Sequence, residues 1–401
     1  MLAHNKMELA MNKPENSNSA LSGERVLDLT DEKGMFCARL LSDMGADVIR
    51  VEKVGGGAAG RSSFEADNLG KRSVTLNIEV KAGQELFRRL VKTADILVES
   101  YPPGYLETLG LGYAELSQIN PRLVMASITN FGQSGPYRDY KSDDMVAAAL
   151  GGPMSVCGEP ELPPLKPFGQ QPDSSAGLFA AIGILLALWQ RHTSGRGQHI
   201  DISQEECVAA TLDHVLVDYF YQGVVAKRQG SLYWNNAFRI LPCRDGHIVI
   251  SLFQQWTTLV EWLESEGMAQ DLTGEKWQDR EAQLEQLDHI IEVLEKWTKS
   301  HTVAELVEKG QLMRFPWAEV TSLDQLMDSP QLEERHFFVK VEHPESGGKY
   351  KFPGAPCKLS RSPWRLGSHI AARGEHNMEI YNGELGLAGP VIEALIKEGT
   401  I

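Results

Sequence analysis

Along the first half of the chain, short apolar runs alternate with stretches of helical period. Val26-Leu-Asp-Leu29 reads as a buried strand. Gly34 to Met44 follows a helical repeat, and Asp47 to Val51 reads as a second strand ending at Glu52. A strand–helix–strand unit of this length predicts a right-handed parallel crossover. The pattern recurs, with strands at Ser73–Leu76, Asp95–Val98 and Leu123–Ile128 and helices at Ala82–Lys92 and Tyr113–Ile119. Such alternation predicts an α/β fold with a doubly wound parallel sheet. The longest apolar run, Leu178 to Trp189, has 12 residues. A membrane span needs about 20, so the run predicts a buried core helix. Arg191, His192, Gly195 and Gly197 form its stop signal. His199–Ser203 follows as a strand and Gln204–Tyr221 as a helix.

The character changes near Gly223. Phe238–Cys243 and His247–Leu252 read as paired strands around the turn Arg244-Asp-Gly246. From Trp256 to about Gln331 the chain is acidic, amphipathic and helical. The tail from His343 is rich in Gly and Pro, then helical from Pro390. The expected organisation is a flexible N-terminus (1–22), a large domain (23–222), a smaller α+β domain (223–340) and a segment (341–401) that returns to the large domain.

Composition narrows the function. The 42% hydrophobic content supports a large core, and the net charge of -15 disfavours a sequence-independent hold on nucleic acid. The polar N-terminus and five scattered cysteines predict reduced thiols in a cytoplasmic protein with no membrane attachment. The first crossover invites a dinucleotide reading, with Glu52 at the end of the second strand. However, the turn Thr30-Asp-Glu-Lys-Gly34 carries one glycine where the fingerprint needs three. No histidine lies between His4 and His192, and no Gly-x-Ser-x-Gly occurs. A zinc site or histidine-assisted serine in the first domain is therefore not expected.

One carboxylate stands out. Asp173 directly precedes the apolar run. It can be a helix N-cap, accepting from the N–H of Ser175 or Ala176. It can also be a nucleophile, kept ionised by the helix terminus and able to attack an activated acyl group, with Ser174, Ser175, Ala176 and Gly177 leaving room for a substrate. The local pattern leaves both readings open.

Several ordered segments together resemble the class III CoA-transferases, the group of formyl-CoA and carnitine-CoA transferases. They include Leu27-Asp-Leu-Thr30, Leu40 to Glu52, Gly70-Lys-Arg-Ser-Val-Thr-Leu-Asn77, Ala94 to Gly104, Leu109-Gly-Leu-Gly-Tyr113, Asn120-Pro-Arg-Leu-Val124, Phe131 to Tyr137, Gly195-Arg-Gly-Gln198, Pro353-Gly-Ala-Pro356 and Gly374-Glu-His-Asn377. The resemblance implies a Rossmann-like, CoA-binding large domain and an interlocked dimer, or a heteromer with a related subunit. It implies CoA and acyl-CoA as substrates, with no permanently bound cofactor, and a carboxylic acid as acceptor. It makes Asp173 the nucleophile, through an aspartyl anhydride and an aspartyl-CoA thioester, with Asp144 as a second acid beside it. The alternative for Asp144 is another helix cap, ahead of Met145–Leu150. For CoA the resemblance points to Lys33, Lys53, Leu76, Ser100, Tyr101 and Lys141. Thr108 and Glu79 stand where the family often has arginine and lysine. The loop Ser251-Leu-Phe-Gln-Gln-Trp256, the expected source of oxyanion donors near Gln254 and Gln255, lacks the family's glycine.

The related 2-methylacyl-CoA racemases carry a histidine before the position of Asp144. This chain has Gly135-Pro-Tyr-Arg-Asp-Tyr-Lys-Ser142 there, which favours transfer. The start Asp31-Glu-Lys-Gly-Met-Phe36 is similar to subunits of benzylsuccinate-type transferases, so a non-catalytic CoA-binding subunit stays a second reading. Tyr137, Tyr140, Tyr233 and Trp234 are candidates for an aromatic acid pocket, and equally read as ordinary core or lid residues.

Overall fold

The computed structural model describes residues 19–56, 62–233, 238–342 and 348–401. The expectation for residues 1–18, Trp234 and the Tyr233 side chain lie outside it. The chain divides into two compact units. The first holds Met1–Met154, Lys166–Val225 and Pro330–Ile401, and the second holds Ser155–Leu165 and Ala226–Ser329.

In the first unit the strands are β1 (Arg25–Leu29), β2 (Asp47–Glu52), β3 (Arg72–Thr75), β4 (Ile96–Glu99), β5 (Val124–Thr129) and β6 (His199–Ser203). They form one parallel sheet in the order β3-β2-β1-β4-β5-β6. The order reverses between β1 and β4, the switch point at which open α/β sheets bind ligands beyond their carboxyl ends. Both faces are covered, which is why the strands read as near-continuous apolar runs. Leu27, Ile49, Leu97 and Met125 face one core, while Val26, Val48, Val98 and Ala126 face the other.

Two helices on the second face position the site. Helix α1 (Glu32–Asp43) starts at the N-cap Asp31, whose side chain accepts from the Lys33 N–H at 3.1 Å. A longer helix, α3 (Gln171–Ser194), packs against it; between them in sequence lies α2 (Asp144–Leu150). At Gly177 a Cβ would lie 3.1 Å from the Cys37 nitrogen and from Phe36 Cβ. Ala176 and Gly177 thus serve helix packing: Ala176 is wholly buried, and Gly177 lets α1 approach. For these two, that corrects the expectation that they leave room for a substrate.

The apolar run also departs from its expected role. Helix α3 has 24 residues, and by length and composition alone it could cross a membrane. One face (Ala180, Ala181, Ile184, Ala187) is buried, but Leu178, Ile182, Leu186 and Trp189 are exposed, Trp189 by 77%. A count of apolar residues cannot tell a helix covered all round from one covered on one side. The stop signal holds, since Gly195 takes φ 70° and its N–H reaches the Arg191 carbonyl. The helix expected over Gln204–Tyr221 is broken. It forms α4 (Gln204–Ala210) and α5 (His214–Gln222), separated at Asp213, which takes φ 47°.

The C-terminal segment covers the edge of β3. His376 Nδ1 accepts from the Ser73 N–H at 3.2 Å, and Asn377 Oδ1 accepts from the Thr75 N–H at 2.9 Å. Side chains here occupy the ladder positions of a further strand and close an edge that would otherwise be free to pair.

The second unit contains an antiparallel sheet of β7 (Leu232–Tyr233), β8 (Phe238–Pro242), β9 (His247–Ser251) and β10 (Ala318–Glu319). The predicted hairpin closes through the Cys243 N–H to the Gly246 carbonyl at 2.8 Å. Its core stacks Trp262 on Trp317 and sets Trp297 edge-on to Trp262. Glu266 accepts from the indole N–H groups of Trp262 (2.8 Å) and Trp297 (2.7 Å).

Candidate active site

At the switch point the loops after β1 and β4 are tied together. The Asp31 N–H donates to Ser100 Oγ at 2.7 Å, and Ser100 Oγ–H donates back to Asp31 Oδ1 at 2.8 Å. Two cavities open on either side of this link. One, of about 430 Å³, is lined by Lys33, Ser100, Tyr101, Thr129, Asn130 and Lys141 among others. The other, of about 410 Å³, is lined by Val51, Lys53, Ser100, Tyr101 and Arg373 among others. A smaller recess holds Leu76, Lys53, Tyr101 and Tyr105. All six residues expected to meet CoA line these three hollows, which share Tyr101.

The charges on that edge are less free than the sequence suggests. Lys53 pairs with Glu79 at 3.1 Å, and both side chains are mostly exposed. Glu79 thus offsets the cation expected to meet a phosphate, and the Lys53 hydrogen bond and charge hold its carboxyl below the usual range. Lys33 pairs with Asp31. Thr108, in place of a common arginine, hydrogen-bonds the Tyr105 carbonyl at 2.7 Å. Beneath Tyr101 lies Glu99, which sequence reasoning passed over. It is buried and accepts the Tyr101 N–H at 2.7 Å, and burial pushes its carboxyl up to about 7.

Asp173 occupies the third position of α3, not its cap; the cap is Gln170, which makes no side-chain capping bond. The N-cap reading is thereby corrected. The carboxylate is 8% exposed, and its partner is the Gln204 side chain, whose Nε2 donates to Oδ1 at 2.6 Å. Burial pushes its carboxyl up to about 6, the charge of Asp144 adds to the rise, and Lys33 opposes it. At neutral pH the carboxylate is still mainly ionised. Asp173 is not itself a wall residue of the two cavities. Lys33, which lines the first, is the side chain that reaches it electrostatically.

The two neighbouring acids divide the expected roles. Asp143 caps α2, accepting the Val146 N–H at 2.9 Å. Asp144 is left to pair with Lys166, and its Oδ1 is buried without a hydrogen-bond partner. Lys166 also reaches the carbonyl of Gly169, just ahead of α3. Neither Lys166 nor Gln204 was legible as a site residue, since a lysine in a Pro-rich loop and a glutamine after a strand carry no motif. The loop with Gln254 and Gln255 belongs to the second unit, where Gln255 takes φ 55° despite the missing glycine. Tyr140 lines the first cavity, and its ring lies 4.9 Å from that of Tyr137.

The fold is an α/β parallel sheet with cavities over its switch point, and the buried Asp173 carboxylate is in electrostatic reach of Lys33, which lines one of them. Residues 21–377 match the family model described as CoA-transferase family III; the chain belongs to that family and is a CoA-transferase. It is 32% identical to the succinyl-CoA:(R)-benzylsuccinate CoA-transferase subunit BbsE of Thauera aromatica, over 94% of this chain and 97% of that one. It is 33% identical to the formyl-CoA:oxalate CoA-transferase of Streptomyces avermitilis, over 95% and 99%. A CAIB/BAIF family protein from Brucella suis superposes with a TM-score of 0.79 at 28% identity, covering 92% of this chain and all of that one.

Proposed function

We propose that this chain moves CoA from an acyl-CoA donor to a carboxylic acid acceptor by covalent catalysis on Asp173. The carboxylate attacks the donor thioester, giving a mixed anhydride and CoA thiolate. The thiolate then attacks the aspartyl carbonyl, releasing the donor acid and leaving aspartyl-CoA, and the acceptor acid runs the same steps in reverse. Each step exchanges one activated acyl bond for another, so the thioester energy is kept. The observation that carries this reading is a desolvated carboxylate held by a single side-chain donor and within electrostatic reach of Lys33, which lines the first cavity, rather than consumed by its own helix amides.

In this reading Asp144, held by Lys166, orients the incoming acid and Lys33 balances the charge that collects near Asp173. Leu76, Ser100, Tyr101, Lys53 and Lys141 form the CoA track. The relatives' names set the compounds to try first, with succinyl-CoA and formyl-CoA as donors and benzylsuccinate, oxalate and citramalate as acceptors. Incubation with each acyl-CoA, followed by hydroxylamine or borohydride trapping and peptide mapping, is expected to mark Asp173. Solvent exchange of an alpha proton without any acceptor would point to a racemase instead. Labelling only after a related subunit is added would point to the heteromeric reading.

The exposed apolar strip of α3 supports a second copy of the chain, or a related subunit, as its cover. With Phe220 (76% exposed) and Tyr221 (86%) on α5, it leaves more large apolar surface bare than isolated solvent-exposed residues require. Sedimentation is expected to give a particle of twice the chain mass, reduced to one chain by Leu186→Asp with Trp189→Asp. A wild-type monomer at micromolar concentration would refute this.

A further inference from the structure

Gln204 is the first residue of α4 and is 1% exposed. It is not needed to start that helix, because Ser203 is the cap and its Oγ accepts the Glu206 N–H at 3.3 Å. Its Nε2 is spent on Asp173 Oδ1 at 2.6 Å, while its own Oε1 is buried with no hydrogen-bond partner. Burying an amide with one end unpaired is destabilising, and an apolar residue of the same size would avoid that cost. A packing role therefore does not account for this side chain; the contact with Asp173 does.

We propose that Gln204 is the oxyanion donor for the steps that take place on the aspartyl carbonyl. The proposal rests on Asp173 being the nucleophile. With Oδ1 engaged by Gln204, Oδ2 is the oxygen that bonds to the donor acyl carbon. When CoA thiolate attacks Cγ of the mixed anhydride, the new Cγ–S bond pushes an electron pair onto Oδ1. The amide N–H of Gln204 already points there. The pair returns, the Cγ–Oδ2 bond breaks, and the donor acid leaves carrying Oδ2. In the reverse half an acceptor carboxylate oxygen attacks Cγ of aspartyl-CoA, Oδ1 becomes the oxyanion again, and CoA thiolate departs. No proton, oxidant or further reactant is needed. A donor fixed in place before the charge develops is the arrangement that stabilises such intermediates most.

The other groups acting on Asp173 come from different elements. Asp31 and Lys33 lie at the start of α1, and Asp144 lies at the start of α2 with Lys166 on it. None of these hydrogen-bonds Oδ1, so loss of Gln204 is not replaced by a neighbour.

The test uses the full-length enzyme and identity exchange between succinyl-CoA and isotope-labelled succinate, with formyl-CoA and labelled formate as a second pair. Gln204→Leu is expected to lower the exchange kcat by about 10²–10³-fold, with little change in KM for the acyl-CoA. The first release of CoA thiol, made by attack of Oδ2, should persist as a burst, because Gln204 does not face the substrate carbonyl in that step. The acid limb of the pH profile should move upward, since the variant lacks a donor to the ionised form. Gln204→Glu keeps the shape and decides the matter if the leucine variant does not fold. It should be inactive at pH 8, where two carboxylates face each other, and partly recover at lower pH, where one carries a proton that it can donate. Exchange within about threefold of wild type, with an unmoved acid limb, in whichever of these variants folds would overturn the proposal. Absence of any adduct on Asp173 in the wild type sinks the nucleophile reading itself; an adduct with unchanged variant kinetics sinks the donor role alone.

Discussion

Asp173→Asn is expected to remove transfer activity while making the protein more stable at neutral and alkaline pH. Loss of an attacking group that acts as one unit with its surroundings typically lowers kcat by about 10⁴-fold or more. CoA should still bind, because the groove residues are untouched. The stability gain follows from the raised pKa. Burial and Asp144 lift the carboxyl from 3.8 to about 6 in the folded state. The folded chain thus favours the protonated form. That advantage is fully present below the unfolded value and is lost as pH rises through 6. Above pH 7 the wild type must hold a desolvated charge that asparagine does not carry. Asparagine can still accept from Gln204. Urea unfolding is expected to show the variant about 1–3 kcal/mol more stable at pH 8, with the difference fading below pH 4. A variant that keeps a tenth of the activity, or is no more stable at pH 8, would contradict the assignment. An active site that is strained for the sake of its chemistry is a common form of this trade-off.

Lys71→Met is expected to have the largest effect on folding. Lys71 Nζ meets Asp28 Oδ2 at 2.8 Å and donates to the Met35 carbonyl at 3.1 Å, and neither Asp28 nor Lys71 has appreciable exposure. Burial opposes the charge on both groups. Their mutual attraction, with Arg50 and the Thr30 hydroxyl on Asp28, holds the Asp28 carboxyl below its usual range. Removing Lys71 leaves the buried Asp28 charge to Arg50 alone, at 3.5 Å, and breaking a buried pair typically costs about 3–5 kcal/mol. Replacing both, as Asp28→Leu with Lys71→Met, should recover much of that loss. Chemical denaturation of the two variants checks this, and a single variant within 1 kcal/mol of wild type would refute it. The site would feel the change as well, because Met35 lies on α1, the helix whose first turn carries Lys33.

The glycine–lysine–arginine stretch at 70–72 thus does structural work. Arg72 pairs with Asp47 at 2.6 Å and with Glu379 and Glu384 in the returning segment. Nothing in the order of residues distinguishes a lysine that folds the protein from one that meets a ligand, and the same holds for Lys53, whose partner Glu79 lies 26 positions away.

The alternation of short apolar strands with helical stretches was enough to predict the parallel sheet, because a strand covered on both faces must be apolar throughout and a crossover must be helical. The single carboxylate ahead of the apolar helix was likewise visible, since a charge beside so much apolar sequence demands an explanation. The pairings were not visible. Gln204 meets Asp173 across 31 residues, Lys71 meets Asp28 across 43, and Asp143 rather than Asp144 takes the cap. Side-chain partners of this kind are set by how helices pack on a sheet, and only in the folded chain does burial raise one carboxyl and lower another. Nor could an apolar count reveal that one face of α3 is left bare, because composition records how much apolar surface a helix has and not what stands against it.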